Sequence, residues 1–198
     1  MKGILKLGII LMLFATAACV GLAFVYSATE QIIAQRTQAD LEASLMELFP
    51  DADGFEELSG VFQSPDPGVQ FGTGYVVHRG AKLVGAALQA STSGYGGVLR
   101  ILIGVGTDGS ISHVKIMEHS ETPGLGANSA SPTYFVNRAE GITFYGQFQG
   151  KPASDPFIVK EDVSAITAAT ITSRAVTLAA KVSSQAAYEW LQSQGGSQ

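Results

Sequence analysis

The chain has 198 residues, 46% of them hydrophobic and 9% aromatic, and a formal net charge of −5. That suffices for one ordinary domain with a packed core plus accessories, and the absence of a basic cluster argues against a nucleic-acid partner. Cys19 is the only cysteine, which excludes disulfides within the chain, cysteine-ligated zinc and iron–sulfur clusters.

Residues 7–26 form a run of 20 without a charge. As a helix rising about 1.5 Å per residue, the run spans about 30 Å, the hydrocarbon thickness of a bilayer. Lys2 and Lys6 precede it, and the first base after it is Arg36. The positive-inside rule then places residues 1–6 in the cytoplasm and residues 27–198 outside. One rival is a cleaved leader with Ala15-Thr16-Ala17 as its small-residue site. Another is a lipoprotein acylated at Cys19. The apolar run continues through residues 20–26, past the length of a leader, which favours a retained anchor.

Residues 27–66 carry nine acids and one base, whereas residues 67–198 carry eight acids and nine bases. The first stretch reads as an acidic stalk and connector, repelled by anionic headgroups. Within it, Leu41, Leu45 and Leu48 predict a helix over 27–49, ended by Pro50. Pro65, Pro67 and several glycines make residues 51–72 a connector.

Strand patterns follow. Residues 75–78 and 83–88 flank an Arg79-Gly80 turn. Residues 98–105 and 111–117 flank Thr107-Asp108-Gly109-Ser110, a strong hairpin signal because Asp-Gly tolerates positive φ. Residues 157–159 read as a short later strand. A helix over 172–192 carries an apolar stripe of Val176, Ala180, Ala187, Trp190 and Leu191, with Arg174, Lys181 and Glu189 off it. The expected class is α+β: antiparallel hairpins with flanking helices, preceded by one transmembrane helix. His78 and His113 fall at solvent-like strand positions. The spacing of the three histidines shows no metal-ligand pattern.

Three stretches stand out chemically. In Glu118 to Gly126, Pro123-Gly124 signals a type II turn, and Gly124 and Gly126 let a ligand approach the backbone; an ordinary surface turn explains it as well. In Ser93 to Gly97, glycines bracket Tyr95 before an apolar strand. In residues 165–176, Thr167, Thr170, Thr172 and Ser173 sit among alanines at a helix start. Capping alone accounts for such hydroxyls, but a helix start also offers unpaired N–H groups to a phosphate.

The anchor, "GYGG", "H-x-E-T-P-G-L-G" over residues 119–126 and a small-residue threonine motif followed by "T-S-x-A-V" together resemble the FMN-binding subunits of bacterial electron-transport complexes. These are the RnfG component of the Rnf complex and the NqrC component of the sodium-pumping NADH:quinone reductase, and the length is closer to the former. The resemblance implies an FMN-binding domain over 67–198. It also implies FMN joined through its phosphate to the last threonine of D-x-x-[S/T]-G-A-[T/S], attached by a flavin transferase with FAD as donor. By position that acceptor is Thr170, with Thr167 and Ala169 matching. Ser164 and Ala168 stand where aspartate and glycine are usual, and Asp162 lies two residues out of register.

The same resemblance implies that the N–H groups of Ile171 to Ser173 face the phosphate, with the Thr172 and Ser173 hydroxyls as donors. Backbone from Thr122 to Gly126 would meet the flavin, with Leu125 on a ring face. Glu121 and Thr122 are candidates to bond the ribityl chain or ring edge, and Tyr95 would pack nearby. The implied role is an electron-relay subunit working with the other membrane subunits of an Rnf-type complex that couples ferredoxin and NAD to ion transport. A stand-alone membrane flavin domain and a redox-silent scaffold that has lost the flavin are the alternatives.

Overall fold

The computed structural model describes residues 2–195 and divides into two compact units, residues 1–43 and 44–198. The first is the body of helix α1 (Lys2–Leu48). Ile4, Leu7, Leu11, Phe14, Leu22 and Phe24 are all largely exposed on it. A helix apolar on every side belongs in apolar surroundings, and this one is long and apolar enough to cross a membrane. Beyond the apolar run, Thr29 and Thr37 return their hydroxyls to carbonyls of the preceding turn, at Val25 and Ile33. Helical structure therefore continues without a break into the residues predicted as stalk.

The second unit opens with the last turn of α1, where Leu45 and Leu48 are buried. It is built on one antiparallel sheet of β1 (Gly54–Leu58), β2 (Val69–Arg79), β3 (Lys82–Ser93), β4 (Val98–Gly106) and β5 (Ile111–Glu118), in that spatial order. Both predicted hairpins form. In the second, Gly109 has φ +82° and Asp108 accepts the Ser110 N–H at 3.0 Å. Helix α2 (Thr170–Gly195) packs across β3 and β4. Ala86, Ala90, Ile101, Ile103 and Val105 meet Val176, Ala179, Ala180, Ala187 and Leu191 in one core. Four of the five predicted stripe residues are buried there, and Trp190 is half-buried against Phe62 at 5.9 Å. On the other face, Gly85 and Gly104 leave a hollow for Phe49: a Cβ would stand 2.7 Å and 2.9 Å from its ring.

Between β5 and α2 runs a loop module. It holds the 3-10 turns Gly126–Ala130 and Gly146–Phe148 and the small sheet of β6 (Phe135–Asn137) and β7 (Ile142–Thr143). Fully buried Phe144 and Phe148 anchor it, edge to face at 5.8 Å.

Three sequence expectations change. Strand β1 lies in the stretch read as connector. Residues 157–159 do not form a strand: Phe157 has φ +53°, and the Asp162 carboxylate accepts the N–H groups of Phe157 and Ile158 that a ladder would need. For Asp162, burial raises its pKa. The Ile158 N–H, Lys151 and the Phe157 N–H outweigh burial and hold the carboxyl below its usual range.

His113, read as a surface residue, is mostly buried, with its ring edge-on to Tyr145 at 5.6 Å and Nε2 at 3.6 Å from Glu47. Burial lowers its pKa from 6.5, Glu47 opposes that shift, and Lys115 adds to it. A histidine depressed in the folded state is protonated more readily in the unfolded chain. Stability from this residue is therefore complete above about pH 6.5 and declines as pH falls from there toward the folded pKa. Urea midpoints between pH 7.5 and 5.5 should fall for the native chain, and His113→Leu should flatten that slope.

Candidate functional site

The β3–β4 turn, the exit of β5 and the N-terminus of α2 gather at one end of the sheet. The turn is tight, with the Gly94 N–H donating to the Gly97 carbonyl at 2.8 Å. After β5, the His119 Nδ1 accepts the Glu121 N–H at 3.3 Å. Thr122 to Leu125 then close a turn in which the Thr122 carbonyl accepts the Leu125 N–H at 3.1 Å. Gly124 has φ +77°, as a type II turn requires at that place. Asn128 Nδ2 donates to the Gly124 carbonyl at 2.9 Å and fixes the loop from below.

The third wall is the start of α2. Ser173 Oγ accepts the Ile166 N–H at 3.0 Å and donates to the Ala169 carbonyl at 2.9 Å, pinning the residues before the helix. Further back, Gln147 pairs with the backbone of Ser164 through both ends of its amide, at 2.7 Å and 3.1 Å. Tyr134 Oη accepts the Thr167 N–H at 3.4 Å. Residues 164–169 are thus held in place by groups distant in sequence.

Ala168 has φ +60°. It takes the left-handed conformation that a glycine takes freely and an alanine takes only under strain. Left-handed φ costs an alanine about 1–2 kcal/mol, and a glycine gives back about 0.5–1 in chain entropy. Ala168→Gly should therefore raise stability by about 0.5–1 kcal/mol, read as a higher denaturant midpoint with an unchanged m-value.

These walls enclose a cleft of about 450 Å³, within the range of small-molecule sites. Thr170, Ile171, Thr172, Ala168 and Ala169 line one side; Glu121, Thr122, Leu125, Gly126 and Tyr95 line the other. Of the sequence-predicted residues, Gly124, Thr167 and Ser173 lie outside the wall. Ala168 is a lining residue that the sequence reading singled out only as a departure.

The four hydroxyls at and just before the start of α2 separate cleanly. Thr172 Oγ1 donates to Glu121 at 2.7 Å, and Ser173 is committed to Ile166 and Ala169. Both are buried, at 1% and 0% exposure, so neither is free to bond a phosphate. Thr167 and Thr170 have no side-chain partner among the described residues, and of the two only Thr170 lines the cleft.

The cleft fits an anion joined to a flat apolar body. The helix starts after Ala169, which has no side-chain cap to offer, so the N–H groups of Thr170 to Thr172 remain available to an anion. Tyr95, Ile171 and Leu125, at 74%, 54% and 40% exposure, present uncovered apolar surface beside them. No lysine or arginine lines the cleft. The helix end by itself contributes only about 0.3–1 kcal/mol to holding a charge.

Sequence comparison agrees with this geometry. A profile of the FMN-binding domain matches residues 94–184, and one of the RnfG N-terminal region matches residues 1–48. The G subunit of the proton-translocating ferredoxin:NAD+ oxidoreductase complex of Clostridium ljungdahlii is 32% identical over 165 residues, covering 81% of this chain and 78% of that one. The G subunit of the Na+-translocating complex of Acetobacterium woodii is 29% identical over 203 residues, covering 93% and 91%. The G subunit of the ion-translocating oxidoreductase complex of Methanosarcina acetivorans is 31% identical over 180 residues, covering 88% and 89%. Among solved structures, NqrC of Shewanella oneidensis aligns with a TM-score of 0.47 at 21% identity, over 61% of each chain.

Proposed function

The chain belongs to the RnfG family of ion-translocating oxidoreductase complexes, and on that premise we propose that it is an electron-relay subunit that carries FMN on Thr170 through a phosphoester. It serves an ion-translocating ferredoxin:NAD+ oxidoreductase of the Rnf type and works with that complex's other membrane subunits. The single observation that carries the covalent reading is the position of Thr170. Its hydroxyl is without a partner among the described residues, at the first residue of α2, on a cleft that holds no basic side chain.

A phosphate held there only by N–H groups and the helix end would dissociate, and a covalent bond removes that problem. In the attachment, a flavin transferase would catalyse attack of Thr170 Oγ1 on FAD. One P–O bond forms at the threonine, the pyrophosphate bond breaks, AMP leaves, and the hydroxyl proton is lost. When bound, the flavin supplies reversible electron transfer. The residues of this chain position it. The N–H groups of Ile171 and Thr172 would meet the phosphate, while Leu125, Ile171 and Tyr95 would cover apolar surface and exclude water. Neither an acid nor a base is needed.

Residues 7–26 cross the inner membrane in this reading, with residues 1–6 in the cytoplasm and the flavin domain outside. Lys2 and Lys6 before the span support that orientation.

The test uses the full chain in detergent, made with and without an active flavin transferase. Flavin fluorescence should stay with the chain through a denaturing gel only when the transferase is present. Reconstituted with its partner subunits, the flavin should then be reduced by ferredoxin-derived electrons. A chain without flavin despite active transferase would contradict the covalent reading. A flavin that stays oxidised in the assembled, turning-over complex would contradict the relay.

A further inference from the structure

Glu121 is a carboxylate in the wall of the cleft, yet it is only 6% exposed. Glutamate is almost never buried unless it is paired, and among the described residues no basic side chain pairs with it. Its two oxygens instead hold two different walls. Oε1 accepts the Gly96 N–H at 3.0 Å, and Oε2 accepts the Thr172 hydroxyl at 2.7 Å. Room for it is made by glycines from two loops: a Cβ at Gly94 would overlap Oε1, and one at Gly126 would overlap Oε2. The adjacent backbone leaves no slack, because a Cβ at Gly96 would overlap the Ser120 carbonyl.

From this arrangement we infer that Glu121 does not bond the flavin but is a positioning residue, clamping the Tyr95 loop to the first turn of α2. Its uncompensated charge beside the cleft lowers the flavin's reduction potential. The inference rests on the flavin reading above. It differs from a ligand role because the side chain is buried behind the cleft surface and each oxygen already ties down one wall. The charge sits in the wall of the cleft, where the Thr172 hydroxyl donates to it at 2.7 Å. An electron arriving in the cleft meets a negative charge that no cation offsets, so reduction is less favourable than it would be beside a neutral group.

Two variants separate the clamp from the charge. Glu121→Gln keeps the clamp: its amide oxygen accepts from Gly96, and its amide nitrogen donates to the Thr172 hydroxyl, which reorients. The charge is lost and the hydrogen bond between Thr172 and residue 121 reverses its direction, while both walls stay joined. Glu121→Ala loses both clamp and charge.

In the full chain made without transferase, hydrogen exchange should show the Gly96 amide about tenfold or more faster in Glu121→Ala, the loss expected for a hydrogen bond to a charged acceptor. Glu121→Gln should restore protection. In the flavin-loaded chain, Glu121→Gln should shift the potential upward relative to the native protein, a readout that a purely structural role would not move. Unchanged Gly96 exchange in Glu121→Ala, or an unchanged potential in Glu121→Gln, overturns the proposal. A native chain that takes no flavin refutes the covalent reading instead, and the exchange result alone then decides the positioning role.

Discussion

Thr170→Ala is expected to abolish covalent flavin on the chain, and Thr167→Ala is expected to leave it in place. The two threonines are three residues apart, and both hydroxyls lack partners among the described residues. Chemistry does not distinguish them, but position does. Thr170 is the first residue of α2 and lines the cleft beside helix N–H groups that favour a phosphate. Thr167 is exposed outside the wall, its own N–H tied to Tyr134. Thr172→Ala should also keep the covalent flavin, because its hydroxyl serves Glu121 and not the phosphate. The measurement is flavin fluorescence in a denaturing gel of each variant made with transferase. Retention in Thr170→Ala, or loss in Thr167→Ala with normal folding, would assign the wrong acceptor.

The largest effect on stability is expected from Phe148→Ala. Phe148 is fully buried, edge-on to Phe144 at 5.8 Å and stacked with Phe157 at 6.3 Å. Removing a buried phenylalanine costs about 3–5 kcal/mol through lost transfer energy and the cavity left behind. A domain of this kind is stable by about 5–15 kcal/mol in all, so this change removes a large share. It should lower the thermal midpoint by about 6–20 °C. The loss should reach the site as well. Phe144, Gln147 and Phe148 belong to one short segment, and Gln147 holds Ser164 at the head of the acceptor loop. Circular dichroism melts of the variant check the first part. Its rate of flavin attachment at a temperature where it remains folded checks the second.

Much of this was legible in the sequence because the signals are local. The Asp108-Gly109 turn, the apolar run of β4 and the stripe on α2 each lie within one short stretch of chain, and each formed as the pattern requires. The three site stretches were legible for the same reason: each carries its own glycines or hydroxyls. Strand β1 was not legible. It has five residues, GFEEL, with two adjacent acids that break the alternation, and it forms as an edge strand because β2 offers it a partner. Residues 157–159 looked like a strand by composition, but a carboxylate four and five residues away takes their N–H groups.

Contacts that join distant residues left no trace in the sequence. Nothing in Gln147 says that it will grip Ser164, and nothing in His113 says that Glu47 and Tyr145 will enclose it. Glu121 shows this most sharply. A glutamate in a glycine-rich loop reads as exposed and ligand-facing. Only the fold shows that glycines from two loops open a pocket for it and that Thr172, 51 residues away, completes its bonding.

The most direct test of the Thr170 linkage is fragmentation mass spectrometry of the tryptic peptide 161–174, from full chain made with an active transferase. Cleavage after Lys160 and Arg174 releases all the candidate hydroxyls of the acceptor motif in one piece. The expected result is a gain of one FMN less one water, located on Thr170 and absent without transferase. The same gain located on Thr167, Thr172 or Ser173, or an unmodified peptide where the transferase has labelled a standard substrate, would contradict it.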